Sequence, residues 1–432
     1  MLLLCPIILT VPSLSQDQYE FDLSEIEKQI EKKPYSLGGF LEFEPVLLGL
    51  DRDAALYKFR FFDRDEGSVT ERYDNTIRLE GRYQRWSAEF YGRAEGRLRY
   101  DFSGWDAQTV LQAGYFSIKP KPGLSFEAGK RVVRWGTGYV FNPVGFIQRQ
   151  KDPENPEEAL EGFSVLTADW IKSLNGPVRT LSLTTVVLPV IGSINDDFGR
   201  SDALNFALKF YMLLWDTDID FIMFAGDSRT GRYGFDFAKN LSSNLEIHGE
   251  FARINNSVGM SLDETGNLFV KKDDISSSIL GFRYLSGGRT TYIAEYFHDG
   301  SGTDEESPAN YFKLINQAYD LFLDNGDPSP LRDAGSLSSG AFSRPLPGRD
   351  YLYFRVSQKE PFDILYFNPA LTSIINIRDH SFSLFPELLY SPFTNLELRF
   401  RTVFLIGGVG TGFGEKQTNW RVELRARHFF QS

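Results

Sequence analysis

Four histidines are the residues of this sequence best suited to acid–base chemistry: His248, His298, His380 and His428. Hydrolases combine a histidine with an acidic residue and a serine, and the dipeptides His298-Asp299 and Asp379-His380 supply two such neighbours. Both dipeptides adjoin predicted strand ends, where polar residues occur without any catalytic role. We therefore expect no enzyme activity, and a hydrolase remains the least favoured alternative.

Other site chemistry is scarce. No His/Glu grouping has metal-ligand spacing, and no glycine-rich phosphate loop leads from a strand into a helix. The only cysteine, Cys5, lies in the first apolar run, which excludes disulfide scaffolds and thiolate sites from the rest of the chain. We expect neither a cofactor nor a bound metal.

A second set of charged residues alternates with apolar ones. In residues 76–86, Ile77 and Leu79 alternate with Arg78 and Glu80, and the same period continues through residues 88–100. A period of two is typical of β-strands, whose side chains point alternately to opposite faces. One face is therefore apolar or small and the other is densely ionic.

The length of these runs indicates their environment. Strands of soluble sandwiches average five or six residues, whereas these reach ten or more, enough to cross a bilayer at a tilt. The longest apolar run, residues 2–11, is far shorter than the ~18 residues of a membrane-spanning helix. The pattern predicts an all-β, transmembrane, antiparallel up-and-down β-barrel.

Turns divide the chain into strands. Tight turns rich in Gly, Pro, Asn, Asp and Ser occur at residues 85–88, 119–123, 173–177, 215–218, 240–244, 286–289, 358–361 and 390–394. Longer polar loops are predicted at residues 135–161, 192–202, 255–274, 300–347 and 407–418. Short turns on one side and long loops on the other are typical of outer-membrane barrels.

The turns imply about eighteen strands. The hairpins supply sixteen, and one strand is added at each end: residues 37–50 or 54–62 at the start, and residues 419–430 at the close. Sixteen strands remain possible if a weak run such as residues 231–239 is not a full strand.

Charged side chains on the barrel strands must face the interior, because a charge facing lipid costs up to ~2 to 4 kcal/mol. The predicted pore-lining basic residues are Arg78, Arg82, Arg93, Arg97, Arg99, Arg399, Arg401, Arg421, Arg425 and Arg427. The acidic residues predicted among them are Glu80, Glu89, Glu95, Glu397 and Glu423. This wall is either a basic track that draws anionic solutes through a pore or a network of ion pairs that stiffens the barrel, and both interpretations can hold together.

Residues 129–146 contain the most specific local pattern, with GKRVVRWG followed by NPV. Glycines allow close backbone approach, and aromatic side chains provide rigid contact surface. A loop that folds into the barrel and narrows it needs this chemistry, and so does a rim loop packed on its own aromatics. The constriction candidates are Arg131, Arg134, Trp135, Tyr139, Asn142, Phe146 and Arg149.

The N-terminal residues predict export. Residues 1–15 resemble a signal peptide, with small residues before a cut at Gln16, although no basic residue precedes the apolar run. Residues 16–35 predict a short helix, capped by Ser24 and ended by Pro34, that serves as a plug, a periplasmic segment or a simple lead-in. Residues 36–432 would form the barrel.

The GKRVVRWG and NPV segments, the short N-terminal helix and the hairpin rhythm resemble uncharacterised Gram-negative outer-membrane β-barrel proteins, loosely porin-like or alginate-export-like. The resemblance implies an outer-membrane channel and brings no catalytic residue. Our predicted function is a porin-like channel for polar or anionic solutes. The alternatives are the outer-membrane exit of an export system, or a structural barrel that encloses a partner.

Charge and the closing strand indicate the partners. With 46 basic and 58 acidic residues the net charge is −12, so nucleic acid is not an expected partner. The acidic loops suit lipopolysaccharide bridged by divalent cations, and lipid would surround the barrel. Residues 419–430 resemble the C-terminal signal of the barrel-assembly machinery, and an export role would add a periplasmic partner.

Overall fold

The computed structural model describes residues 33–158, 161–304, 306–338, 342 and 344–431, and most of this chain is β-strand. The predicted signal peptide and most of the predicted N-terminal helical segment lie outside these residues. The strands are β1 (Tyr35–Leu50), β2 (Val69–Arg85), β3 (Ala88–Asp101), β4 (Gly104–Lys121), β5 (Leu124–Arg131), β6 (Phe163–Ser173), β7 (Val178–Val190), β8 (Ala203–Leu214), β9 (Thr217–Gly226), β10 (Arg232–Ser242), β11 (Leu245–Leu262), β12 (Leu268–Leu285), β13 (Thr290–His298), β14 (Asp350–Gln358), β15 (Phe367–Asn376), β16 (Phe382–Phe393), β17 (Leu396–Ile406) and β18 (Thr418–Gln431).

These strands form one closed antiparallel sheet of 18 strands. Each strand pairs with its neighbours in sequence, and β1 closes the ring by pairing with both β2 and β18. Gly38, near the start of β1, pairs with Gln431 at the end of β18, so these two strand ends lie at the same rim. The predicted up-and-down barrel and its preferred strand count are confirmed.

The period of two in the sequence produces two different faces. On β2 and β3, Ile77, Leu79 and Phe90 are exposed, whereas the alternating Arg78 and Glu95 are largely buried against each other. An exposed apolar face on an alternating strand is the pattern of a barrel wall that contacts lipid.

The two rims differ. Short turns join the strands at one rim, which we call the short-turn rim, and the longer connections lie at the other, the long-loop rim. The long-loop rim carries α1 (Ala55–Phe61), α2 (Glu306–Asn325) and α3 (Ser329–Ser338). Tyr311, Ile315 and Leu331 are buried together with Ala55 and Leu262, so the helices pack on one another and on the end of β11.

Within the described part of the chain, no helix is both long and apolar enough to span a membrane.

Three sequence predictions need correction. The predicted loop 255–274 is wrong, because β11 and β12 continue as a hairpin and leave only residues 263–267 between them. The predicted tight turn 358–361 is wrong in length, since residues 359–366 form the connection and include a short 3-10 turn at Pro361–Asp363. The first strand is residues 35–50, and residues 55–61 are helical rather than a strand.

Candidate functional site

Interior arginines of β17 and β18 form a dense group of ion pairs that we call the seam cluster. At its centre, Glu423 accepts hydrogen bonds from Arg401 (2.6 Å) and Arg421 (2.6 Å). Its Oε2 also lies 3.7 Å from Arg399. These three arginines therefore share one buried carboxylate.

The seam cluster continues across the closing strand pair. Arg399 reaches Glu44 on β1 at 2.9 Å, and Arg427 reaches Glu42 on β1 at 2.6 Å. Arg425 contacts Glu397 at 2.8 Å. The cluster thus joins the last two strands to the first.

Ion pairs also connect the predicted basic residues of β2 and β3. Arg78 contacts Glu95 at 2.5 Å, and Arg97 contacts the same carboxylate at 3.3 Å. The remaining contacts are Arg99 with Asp74 at 2.7 Å, Arg82 with Glu89 at 3.8 Å, and the Tyr91 hydroxyl donating to Glu80 at 3.1 Å. Arg93 stands opposite Glu80 in the β2–β3 register.

The structure thus places the predicted basic and acidic residues on the interior face as a cross-strand network. Sequence reasoning missed several partners, including Glu42, Glu44 and Asp74. The alternation in β1 contains the missing signal, since Leu41, Phe43 and Leu47 are exposed while Glu42 and Glu44 lie between them. Whether the same residues line a pore stays a prediction.

The described residues between β5 and β6, 132–158 and 161–162, fold into the barrel, and we call them the inner segment. Two buried carboxylates hold its first half. Glu250 on β11 accepts from the backbone N–H groups of Gly138 (2.7 Å) and Val144 (3.2 Å). Glu295 on β13, which is completely buried, accepts from those of Tyr139 and Val140.

Gly136 makes this anchorage possible. Its φ is +95°, a conformation that L-residues with a side chain rarely adopt. An added Cβ would lie 2.6 Å from Glu250 Oε1 and 2.8 Å from Asn142 Nδ2. Only a residue without a side chain lets the backbone reach this carboxylate.

The second half of the inner segment reaches the seam cluster. Asn155 Oδ1 accepts from Arg399 (3.0 Å) and Arg401 (2.9 Å). The Glu154 side chain pairs with Arg421. The segment is therefore attached to β11 and β13 at one end and to β17 and β18 at the other.

Apolar packing fixes the segment between these attachments. Trp135 and Phe146 are buried in a core with interior residues of β6 to β9, whereas Phe141 belongs to a second core with interior residues of β12 to β17. The Phe141 ring stacks on Phe297 with centroids 4.4 Å apart. A loop packed only on its own aromatics at the rim is therefore not what the structure shows.

The constriction candidates have different surroundings. Tyr139 donates its hydroxyl to Glu157 (2.6 Å), and Asn142 donates to Glu250 (3.2 Å). Arg149 pairs with Asp197 in the β7–β8 loop. Arg131 belongs to the wall as the last residue of β5, beside Glu127, and Arg134 lines a cavity described next.

The inner segment separates two interior cavities, because Asn142, Gln148 and Lys151 line both. The long-loop cavity, about 290 Å³, extends towards Arg232, Ser301 and Arg344. The short-turn cavity, about 330 Å³, extends towards Glu246, His248 and Arg283. Two cations of the long-loop cavity, Arg229 and Arg232, were not among the sequence predictions, because neither follows an alternating Arg/Glu run.

The cavities differ in charge. Arg149, Lys151, Arg229, Arg232 and Arg344 line the long-loop cavity, and Asp299 is the only carboxylate among its described lining residues. The short-turn cavity balances Arg134, Lys151 and Arg283 with Glu157, Glu158 and Glu246. Anionic groups are therefore favoured on the long-loop side of the inner segment.

Three of the four histidines, His248, His298 and His428, contact polar side chains. His248 lies 3.0 Å from Glu295, whose other contacts hold the inner segment. His298 lies 2.8 Å from Asp350, which also accepts from Tyr296 (2.7 Å) and Arg378. Asn395 lies 3.0 Å from His428 at the opposite rim.

No protein-family model matches this chain, and no curated protein sequence does. Among solved structures, it is similar to a mutant porin of Rhodopseudomonas blastica (9% identity, 92% of this chain and 100% of the porin, TM-score 0.44). It is also similar to OprD of Pseudomonas aeruginosa (9%, 92% and 95%, TM-score 0.46). A third match is Wzi of Escherichia coli, an outer-membrane protein involved in group 1 capsule assembly (8%, 94% and 87%, TM-score 0.52). At 8% identity, the similarity to Wzi shows a shared fold and nothing more.

Proposed function

We propose that this protein is a channel of the bacterial outer membrane for small polar or anionic solutes. The passage would run off-centre, between the inner segment and the wall formed by β2, β3 and β4. One observation carries this proposal: two interior side chains in the middle of that wall are accessible to solvent, although Thr76, Glu95 and Gln112 beside them are buried. The Arg97 side chain is 39% exposed, and Gln108, opposite it on β4, is also exposed.

The opposite half of the interior contrasts with this wall. Glu295 and Asn205 are completely buried there, and Ile293 and Tyr353 are nearly so. Because the inner segment packs against that half, we expect the water-accessible space to lie along β2 to β4. An off-centre passage is therefore the arrangement that the burial pattern supports best.

Exposed aromatic residues support a membrane location. Trp86, Trp215 and Phe362 project from connections at the short-turn rim, and their exposures are 86%, 69% and 91%. Aromatic side chains are enriched at the level of lipid headgroups. Lipid and lipopolysaccharide around the wall, and insertion by the barrel-assembly machinery, belong to the same proposal.

Single-channel recording of the refolded protein in a planar bilayer, with asymmetric KCl, tests the proposal. We expect a steady conductance with anion preference. Arg97→Glu should move the reversal potential towards cation preference, because it reverses a charge on the water-facing wall. Arg97→Lys is the matched control and should preserve the wild-type value. A correctly folded, inserted barrel that passes no current contradicts the channel.

A second candidate is a solute-binding barrel without a continuous passage. The filled half of the interior and the helices at the long-loop rim favour it, and Wzi is described as a carbohydrate-binding barrel. A silent barrel that binds solute would support this candidate. A barrel enclosing a protein partner is disfavoured because the inner segment already occupies interior space between β11, β13 and the seam cluster. The exit of an export system, with a periplasmic partner, remains a proposal to test by co-purification.

A further inference from the structure

Three cations at the long-loop cavity have no ion pair with any carboxylate of the described residues. Lys151 donates to the carbonyls of Gly138 (2.7 Å) and Tyr139 (2.9 Å). Arg229 donates to the carbonyls of Phe198 and Phe146, and its guanidinium lies 3.8 Å from the centroid of the Phe198 ring. Arg232 donates to the carbonyl of Thr230 at 3.3 Å. Carbonyls orient these three groups, while Glu250 and Glu295 attract Lys151, and Asp197 attracts Arg229, from beyond ion-pair distance.

The other two cations of the cavity are neutralised. Arg149 pairs with Asp197 and lies 3.4 Å from Glu161, while Arg344 lies 3.7 Å from Asp299. The positive surplus of the cavity therefore comes from Lys151, Arg229 and Arg232. Partial burial of three like charges is unfavourable unless an anion accompanies them.

The titration of the loop residues agrees with this surplus. Burial, followed by repulsion from Arg232, lowers the pKa of Arg229 to about 10. Burial also lowers the pKa of Lys151 below its usual value. The pKa of Arg229 still lies well above neutral, so its guanidinium stays cationic and available to an anion.

The cavity also offers groups for hydroxyls. Ser257 and Ser277 line it, and Asn142 Oδ1 is buried without a hydrogen-bond partner among the described residues. A guanidinium presents donors in a planar fork that fits a carboxylate or phosphate. A solute with one oxyanion and several hydroxyls would satisfy both kinds of group.

We propose that the long-loop cavity is a binding site for the oxyanion of a small hydroxylated solute, held by Arg232, Arg229 and Lys151. Its volume of about 290 Å³ suits a monosaccharide-sized molecule. The inference names the solute class for the proposed channel, and binding itself requires no passage. The site lies on the long-loop side of the inner segment, where a solute would be held before passing it.

Isothermal titration of the full-length protein in detergent tests the site with glucuronate as the probe and glucose as the neutral control. Glucuronate should bind saturably, and glucose should bind at least about tenfold more weakly, because it lacks the oxyanion. Raising KCl should weaken glucuronate binding in the wild type. Equal affinity for both sugars, or affinity independent of salt, overturns the proposal.

The variant Arg232→Gln tests whether glucuronate binds in the long-loop cavity. Glucuronate affinity should fall about tenfold or more, with glucose binding unchanged. Arg179→Gln removes the same charge from an exposed position beside the short-turn rim and should leave the affinity unchanged. Arg344→Gln, at the edge of the same cavity, should have a smaller effect, and circular dichroism checks that each variant is folded. An unchanged affinity in Arg232→Gln overturns the assignment.

Binding and conductance separate the two proposals. A silent barrel that binds glucuronate through Arg232 sinks the channel but leaves the binding site. A conducting barrel without glucuronate binding sinks the site but leaves the channel.

Discussion

The seam cluster and the long-loop cavity use arginine in opposite ways. In the seam cluster, Arg401 and Arg421 share the buried Glu423, and Arg399 lies close to it. At the long-loop cavity, Arg229 and Arg232 contact only backbone carbonyls among the hydrogen-bond acceptors described. In the seam cluster, carboxylates neutralise the arginines. At the long-loop cavity, Arg229 and Arg232 form no ion pair with a carboxylate of the described residues. The number of arginines on a wall therefore says less about ligand binding than the identity of their acceptors.

Among the predicted variants, the one that removes the shared carboxylate of the seam cluster should lower the stability of the barrel most. Glu423→Gln removes the negative charge that Arg399, Arg401 and Arg421 share in a buried site, and should destabilise the barrel by about 3 to 5 kcal/mol. Urea unfolding in detergent measures the loss. Glu80→Gln is the control, since that interior carboxylate accepts from the exposed Tyr91 hydroxyl. Equal losses of stability in both variants would show that the seam cluster stabilises the barrel no more than an ordinary interior contact.

Loss of the Glu250 contacts that anchor the inner segment should have the second-largest effect on stability. Glu250→Ala leaves the N–H groups of Gly138 and Val144 without their acceptor and should cost about 2 to 3 kcal/mol. Amide hydrogen exchange of residues 136–144 should accelerate while the exchange of the strands is preserved. Glu246→Ala, on the same face of β11 but more exposed, should leave this exchange unchanged. Unchanged exchange in Glu250→Ala would mean that apolar packing alone holds the segment.

Two glycine substitutions distinguish the cost of backbone strain from the cost of a steric collision. Gly136→Ala should cost about 2 kcal/mol, because it combines a positive φ with a collision against Glu250. Gly176→Ala has a similar φ of +112° with no atom within 4 Å of the added Cβ, so it should cost only about 1 kcal/mol. Thermal unfolding measures both. A larger loss at Gly176 would contradict the tight approach at Gly136.

The smallest effect concerns Arg149, one of the two paired cations of the long-loop cavity. Its hydrogen bond to Asp197 lowers the pKa of that carboxyl below its usual value. The folded pKa lies below the unfolded value of about 3.9, so the pair stabilises the fold above that pH and ceases to do so as the pH falls through the folded pKa. Because the Asp197 side chain is 47% exposed, Asp197→Asn should cost at most about 1 kcal/mol at pH 7.

Unfolding curves at several pH values check this pair. The wild type and Asp197→Asn should converge in stability at strongly acidic pH. A difference that persists there would show that the pair acts through packing rather than charge.

The sequence predicted the barrel because its signal is local. Leu79 and Arg78 differ in polarity at adjacent positions, and a strand converts that difference into two faces. The same logic failed at residues 255–274, where β11 and β12 extend with polar side chains and no apolar alternation separates strand from loop. It also left residues 54–62 undecided, since the helix there depends on packing against α2 and the β17–β18 loop.

The candidate site was only partly accessible to sequence reasoning. Trp135, Tyr139, Asn142 and Phe146 were predicted as candidates because a glycine-rich aromatic segment is locally unusual. Arg229 and Arg232 were missed, because their importance lies in absent carboxylates, and those absences depend on which strands the fold brings together. The anchoring role of Glu250 and Glu295 likewise arises from contacts more than 100 residues away along the chain.

The docking of the inner segment also sets an order of assembly. Its contacts with β17 and β18 join residues 246 and 267 positions apart, and the same two strands contribute to closing the ring against β1. Long-range contacts of this kind form late, because the entropy of closing the intervening chain opposes them. A nascent barrel that lacks its C-terminal hairpin therefore lacks both a closed wall and the partners that hold its interior in place. Closure of the wall and completion of the interior depend on the arrival of the same final hairpin.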